Sequence, residues 1–376
     1  MEPVTTSNLK PFDAVVLMSF GGPERPEDVL PFLQNVTRGR GIPDERLNEV
    51  GEHYYSFGGR SPINDQNRAL RSALEEAFAA RGIDAPVLWG NRNWDPFLAD
   101  VLREQAEEGA RTFLAIDTSA YSSYSSCRQY REDFAGVTAQ LAEEGIEVEI
   151  DKIRQYYNHP GFAQAELDAV RAALTDFRAQ AGEIDPAKHR LLYVTHSIPN
   201  AMQSASEVRT AGYQGQHQQL IDWIAGQLGD ELTLDSELVY CSRSGPPHVP
   251  WLEPDVNDRM EELKADGVEG VILVPIGFVS DHMEVKFDLD TEAKETADEL
   301  GMAFTRAATV GTHEAFVSGL VDLVEERAAQ RRGEDVESPA VTPEGPLIPG
   351  SGACSIECCR GTRDKPVLPQ WESAAG

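Results

Sequence analysis

Glu284, Asp288 and Glu292 recur every four residues just past an apolar run, Val271 to Ile276, that Gly277 breaks. On a helix this spacing puts three carboxylates on one face. Like charges so placed cost an isolated helix roughly 0.2–0.5 kcal/mol per pair, so the row suits a face that meets a hard or borderline metal ion or passes protons. His196 closes another apolar run, Leu191 to Thr195, with Ser197 and Pro199 after it. An imidazole and a carboxylate at neighbouring strand ends accept protons near neutral pH and bind divalent ions. Thr37 to Gly41 reads Thr-Arg-Gly-Arg-Gly, and the guanidinium groups of Arg38 and Arg40 suit a clamp on carboxylates. Three of the five cysteines, Cys354, Cys358 and Cys359, crowd into the last stretch, a pattern that favours a thiolate metal site over disulfides. The other two are Cys127 and Cys241.

These residues need strands that end at loops. Phe12 to Phe20 begins as a buried strand and breaks at Gly21-Gly22-Pro23, and a helix follows over 24–36 with Val29, Phe32, Leu33 and Val36 at helical spacing. A helix over 66–82 ends in glycine, a strand at 85–89 leads into Gly90, and a helix over 97–108 feeds a strand at 111–116. A run of hydroxyls and aromatic rings, Asp117 to Cys127, comes next. The second half repeats this plan: Leu191 to Pro199 matches Val15 to Pro23, Leu238 to Cys241 matches Val87 to Trp89, and Met260 to Ile276 matches Leu102 to Ile116. Three matched units in one order predict an α/β protein of two similar Rossmann-like, doubly wound domains whose parallel sheets face a shared cleft. Residues 331–342, charged and proline-bounded, read as a linker to the cysteine-bearing tail.

The chain of 376 residues carries a formal net charge of -30, which argues against nucleic acid and anionic lipid as partners. Its start lacks a signal-peptide pattern and no apolar run approaches the ~20 residues of a membrane span, so a cytoplasmic protein without integral membrane association is expected. Neither a Gly-x-Gly-x-x-Gly nor a Gly-x-x-x-x-Gly-Lys follows any strand, which disfavours nucleotide chemistry. A Gly-x-Ser-x-Gly elbow is also missing, which disfavours an α/β hydrolase.

Ser19 to Pro23, Arg38-Gly39-Arg40, Gly58 to Pro62, Thr195 to Pro199, Ser242 to Pro247 with Trp251 to Asp255, and Pro275 to Glu284 together resemble the ferrochelatases of actinobacteria, from about Phe12 to Ala329. The resemblance implies an enzyme that inserts Fe2+ into a free-base porphyrin held between two Rossmann-like domains, here 12–160 and 161–330, with 331–376 as linker and tail. It implies His196 and Glu284 as the catalytic pair at the metal, Asp288 and Glu292 as the path of the ion or of protons, and Arg38, Arg40, Ser61 and Tyr124 as holders of the propionates. Phe20 stands where some relatives carry a tyrosine able to bind the inserted iron, so it is expected on the ring face instead. Coproporphyrin III is the expected ring, because relatives in this bacterial group generally use it and no apolar membrane lip is visible. Several ferrochelatases hold a 2Fe-2S cluster with one internal and three C-terminal cysteines; here that implies Cys127, Cys354, Cys358 and Cys359, with Cys241 a buried core residue. Protoporphyrin IX as the ring, cobalt insertion into a more reduced tetrapyrrole, and a haem-binding protein without chemistry are the alternatives. A monomer is the simplest expectation for a closed pair of domains.

Overall fold

A computed structural model describes residues 9–39, 41–229, 234–347, 357–361 and 365–368. The apolar runs become short strands buried on both faces: β1 (Ala14–Ser19), β2 (Val87–Asn91), β3 (Thr112–Asp117) and β4 (Glu149–Lys152) in the first half. β5 (His189–His196), β6 (Ser236–Cys241), β7 (Gly270–Val274) and β8 (Ala303–Arg306) follow in the second. Among the described residues they form two four-stranded parallel sheets, ordered β2-β1-β3-β4 and β6-β5-β7-β8. The two orders are the same order, so the internal repeat of the sequence is a repeat of topology. Register follows suit: Val15 lies between Val87 and Leu114, and Leu191 between Ser236 and Ile272.

Parallel neighbours need crossover connections, which helices supply. In the first half these are α1 (Pro26–Val36), α2 (Asp44–Ser56), α3 (Ile63–Arg81), α4 (Leu98–Glu107) and α5 (Gln129–Glu143). α6 (Pro160–Ala181), α7 (Asn200–Ser206), α8 (Gly212–Leu228), α9 (Val256–Ala265), α10 (Lys294–Glu299) and α11 (Glu314–Arg331) complete the set. Helix α2 has no counterpart in the sequence reading, although Leu47, Val50 and Tyr54 supply an apolar stripe that packs on α1.

Side chains alternate across each sheet. Val15, Leu17, Leu191, Tyr193, Ile272 and Val274 point into one core shared by both halves, filled by α3, α6, α8 and α11. The opposite faces are covered separately, by α4 and α5 on the first sheet and by α9, α10 and a π-helix (Val285–Ala293) on the second. The stretch after α11 is more than a linker. Arg154 donates to the Pro339 carbonyl, Val341 N to the Asn158 carbonyl at 2.9 Å, and Asn158 Nδ2 to the Gly345 carbonyl at 2.6 Å. The Glu344 carboxylate takes bonds from Tyr157 Oη, Ala211 N and Gln216 Nε2. Residues 334–347 are thus a strap seated at the joint between the halves, with Leu347 buried.

Candidate active site

His196 is the last residue of β5, level with Cys241 of β6. Beyond it the loop is held tightly: Ser197 N donates to the Cys241 carbonyl at 2.8 Å, and Ser197 Oγ donates to the Leu252 carbonyl at 2.8 Å. Pro199 also bridges to Trp251. The Trp251 to Asp255 motif therefore acts as a backstop for the histidine loop.

Gly277 brings the opposing segment in. A Cβ there would overlap the Thr195 side chain and lie 2.9 Å from the Thr195 Cα, so only glycine lets the exit of β7 pass the end of β5 this closely. Seven residues later comes Glu284, and the helix it opens is a π-helix, not the α-helix the four-residue spacing predicts. Hydrogen bonds reaching five residues back widen each turn, yet residues four apart stay on nearly one face, and π segments recur at functional sites. The row runs outward, with Glu284 and Asp288 half-buried and Glu292 exposed.

Electrostatics separates the members of the site. Burial lowers the basicity of His196, with the Glu284 charge and the Ser197 carbonyl, 2.5 Å from Nδ1, pulling the other way. Burial alone would raise Glu284, but the His282 imidazole 3.0 Å away, together with His196, holds its carboxyl down at about 2. His282 itself is raised, since Glu284, Asp288 and Asp281 outweigh its burial. Asp288 is pushed up to about 7 by burial and by Glu284 and Glu292, against the Ser242 hydroxyl bonded to it. Glu292 is raised by burial and by Asp255 and Glu295. Near neutral pH the site holds a weakly basic imidazole, His196, a more basic one, His282, on the ionised Glu284, and a carboxyl, Asp288, close to its midpoint.

Helix α2 covers the row from the first half. His53 stacks on Phe287 of the π-helix at 3.8 Å between ring centroids, and burial with the Glu284 and Asp288 charges keeps the Tyr54 phenol protonated. Phe20, partly buried just past β1, meets Phe32 edge-on at 6.2 Å, and Phe32 in turn meets Tyr54 and Trp94. Ser61 is buried against Gly22, its hydroxyl 3.4 Å from Ile63 N at the start of α3. Arg38 is exposed beyond α1, and Arg40 lies outside the described residues. Tyr124 donates to Glu132 at 3.0 Å and carries Gly361 of the tail on its ring. His282, Tyr54 and Ser242 are the site residues that sequence reading passes over. The row's spacing pointed to the helix but gave no sign of these neighbours.

The cysteines fall in two places. Cys127 is buried in a second π-helix (Tyr124–Arg128), its thiol pushed up to about 11 by burial, with Cys358 among the groups acting on it. Cys358 and Cys359 are buried too, and Arg131 Nη1 lies 3.5 Å from Cys358 Sγ. Cys241 sits in the other sheet, beside Ser242 and under the influence of Asp288. Cys354 lies outside the described residues. Among the described residues no three His, Cys, Asp or Glu side chains converge as a metal site.

The ferrochelatase family model matches residues 12–328. A coproporphyrin III ferrochelatase from Streptomyces coelicolor is 50% identical over 371 residues, covering 96% of this chain and 97% of that protein. One from Leifsonia xyli subsp. xyli is 51% identical over 365 residues, covering 94% and 92%. Among solved structures, SirB from Bacillus subtilis with Fe3+ aligns at a TM-score of 0.48 and 14% identity, over 85% of this chain and 97% of that one. The protein is a metal chelatase, an enzyme with two parallel sheets built on one plan. More narrowly, the chain belongs to the ferrochelatase family, as its motifs led one to expect.

Proposed function

We propose that the chain inserts Fe2+ into coproporphyrin III, releasing two pyrrole protons, to make the iron coproporphyrin of haem biosynthesis. The near full-length relatives bearing that name support the ring, and the observation that carries the chemistry is His196 at the end of β5, its Nδ1 held on the Ser197 carbonyl and its ring close enough to Glu284 for each to act on the other. With Nδ1–H donated to the Ser197 carbonyl, His196 keeps a lone pair on Nε2. That nitrogen takes a pyrrole proton, and Glu284 stabilises the imidazolium that forms. Asp288, close to half-protonated near neutral pH, and the exposed Glu292 continue the route to solvent, iron moving in and protons out.

Phe20, on the aromatic cluster beside the site, suits the face of the ring. Arg38, Arg40, Ser61 and Tyr124 are read as partners of the propionates; Arg38 is exposed and a guanidinium suits a carboxylate. Tyr124 reaches them only by exchanging Glu132. The same reading divides the chain into domains over 12–160 and 161–330, each with its own sheet, and a tail over 331–376. Cys127 and Cys241, both buried and in no disulfide, suit the cytoplasm. No helix of the described residues is long and apolar enough to cross a membrane.

Cys127, Cys354, Cys358 and Cys359 are read as the ligands of a 2Fe-2S cluster. Cys358 close enough to act on Cys127, and the Arg131 guanidinium at Cys358 Sγ, support that reading, while burial keeps the Cys127 thiol protonated until a metal displaces the proton. When bound, it would tie the tail to the Cys127 loop; the metallation chemistry does not pass through it. Anaerobic assay with Fe2+ and either coproporphyrin III or protoporphyrin IX, followed through many turnovers, tests the main reading. Faster conversion of coproporphyrin III is expected, with His196→Ala abolishing turnover while still binding the ring. Absence of turnover with either ring would overturn it.

A further inference from the structure

Ser242, the residue after β6, has φ of 61°, one of two non-glycine residues with positive φ among the described ones. That left-handed conformation crowds an L side chain against its own backbone. Here it accompanies a hydroxyl bonded to Asp288 Oδ2, with Cys241 Sγ the other polar neighbour at 3.3 Å. The backbone just before it is shared with the catalytic loop, since Cys241 pairs with His196 and accepts from Ser197 N. One anchored residue therefore links the frame of His196 to the middle carboxyl of the row.

The acids of the π-helix segment are treated in two ways. Asp281 and Asp290 are met by cations: Arg306 forks onto both, with Nε 2.7 Å from Asp290 and Nη1 3.0 Å from Asp281, and Lys286 adds a contact to each. Among the described residues no Lys or Arg pairs with Glu284, Asp288 or Glu292; Arg243, next to Ser242, is turned to the Pro247 and Val249 carbonyls. A cation on Asp288 would cancel the charge that attracts a metal ion. A hydroxyl orients the carboxyl without bringing a competing positive charge to it.

We propose that Ser242 is a positioning residue for iron delivery, its hydroxyl fixing Asp288 so that the ion passes along the row to the His196 and Glu284 pair. This rests on the reading of the row as the ion's route. The test compares Ser242→Gly, Ser242→Ala and Asp288→Asn in the full chain, measuring KM for Fe2+ and for coproporphyrin III separately, with thermal midpoints. Glycine accepts the left-handed backbone, so Ser242→Gly should melt no lower than wild type. Both serine variants should raise the Fe2+ KM about tenfold, the scale of one hydrogen bond to a charged group, with the porphyrin KM within about twofold of wild type. If Asp288→Asn raises the Fe2+ KM but Ser242→Gly does not, the proposal for Ser242 fails and the route stands. An unchanged Fe2+ KM in Asp288→Asn overturns the route and the proposal with it.

Discussion

Gly277→Ala adds one methyl group where β5 and the exit of β7 pass each other. Its Cβ would lie 1.9 Å from the Thr195 Oγ1, 2.6 Å from its Cβ and 2.9 Å from its Cα, against 3.4 Å or more for ordinary contact, so the hydroxyl must turn away and the segments must still part by roughly 0.5–0.8 Å. One segment ends in His196 and the other leads to Glu284, so the strain falls on the spacing of these two residues. Overpacking of this kind costs about 1–3 kcal/mol, and misplacing reacting groups by about 1 Å can cost about 10²-fold in rate. The expected result is a kcat lower by about 10–100-fold, a porphyrin Kd near wild type, and a thermal midpoint lower by a few degrees. Following porphyrin absorbance under anaerobic turnover gives kcat, and fluorescence quenching gives Kd. Adding Thr195→Gly removes the nearest side-chain atoms and should restore part of the rate. A Gly277→Ala enzyme with wild-type kcat would refute the argument that this contact sets the geometry of the site.

Cys127→Ser should bleach the visible absorbance of a cluster while Cys241→Ser leaves it, and the reverse pattern would move the fourth ligand to the second sheet. Arg306→Ala leaves Asp281 and Asp290 with Lys286 and Thr309 alone; because these side chains are only partly buried, the loss should fall at or below the ~3 kcal/mol end of broken buried pairs, read by urea denaturation. His217, fully buried on the Tyr121 ring, is held down to about 3 by burial against an ordinary 6.5. Its unfolded form therefore binds a proton that the folded form refuses, so its contribution is whole above about 6.5 and is lost as pH falls towards 3. His217→Phe should flatten the acid limb of stability over that window, and an unchanged limb would count against this source.

Much of the fold was legible because strands buried on both faces leave nothing but apolar residues, and runs such as Val271 to Ile276 have no other easy explanation. Their repetition in one order led to the shared topology. The π-helix was not legible, since residues four apart share a face in both helix types and only the backbone bonds tell them apart. His282 was missed for a related reason: it meets Glu284 two residues on, across a turn, where no helical or strand period would place them together. Ser242 finds Asp288 from 46 residues away, which no local pattern records. Residues 331–342, most of them in the strap, looked like a linker because carbonyls and one carboxylate hold the strap, and a charged, proline-bounded sequence gives no sign of such anchorage.

The strap also bears on how a cluster would assemble. It fixes the chain at Leu347, and only eleven positions separate that residue from Cys358. Capture of the tail thiols by the Cys127 loop is then an intramolecular event, and short tethers give effective concentrations in the millimolar range. Thiols that would otherwise have to meet by diffusion would then arrive on one tether. Severing the chain within the strap would turn loading of the cluster from a first-order process into one that depends on the concentration of the tail.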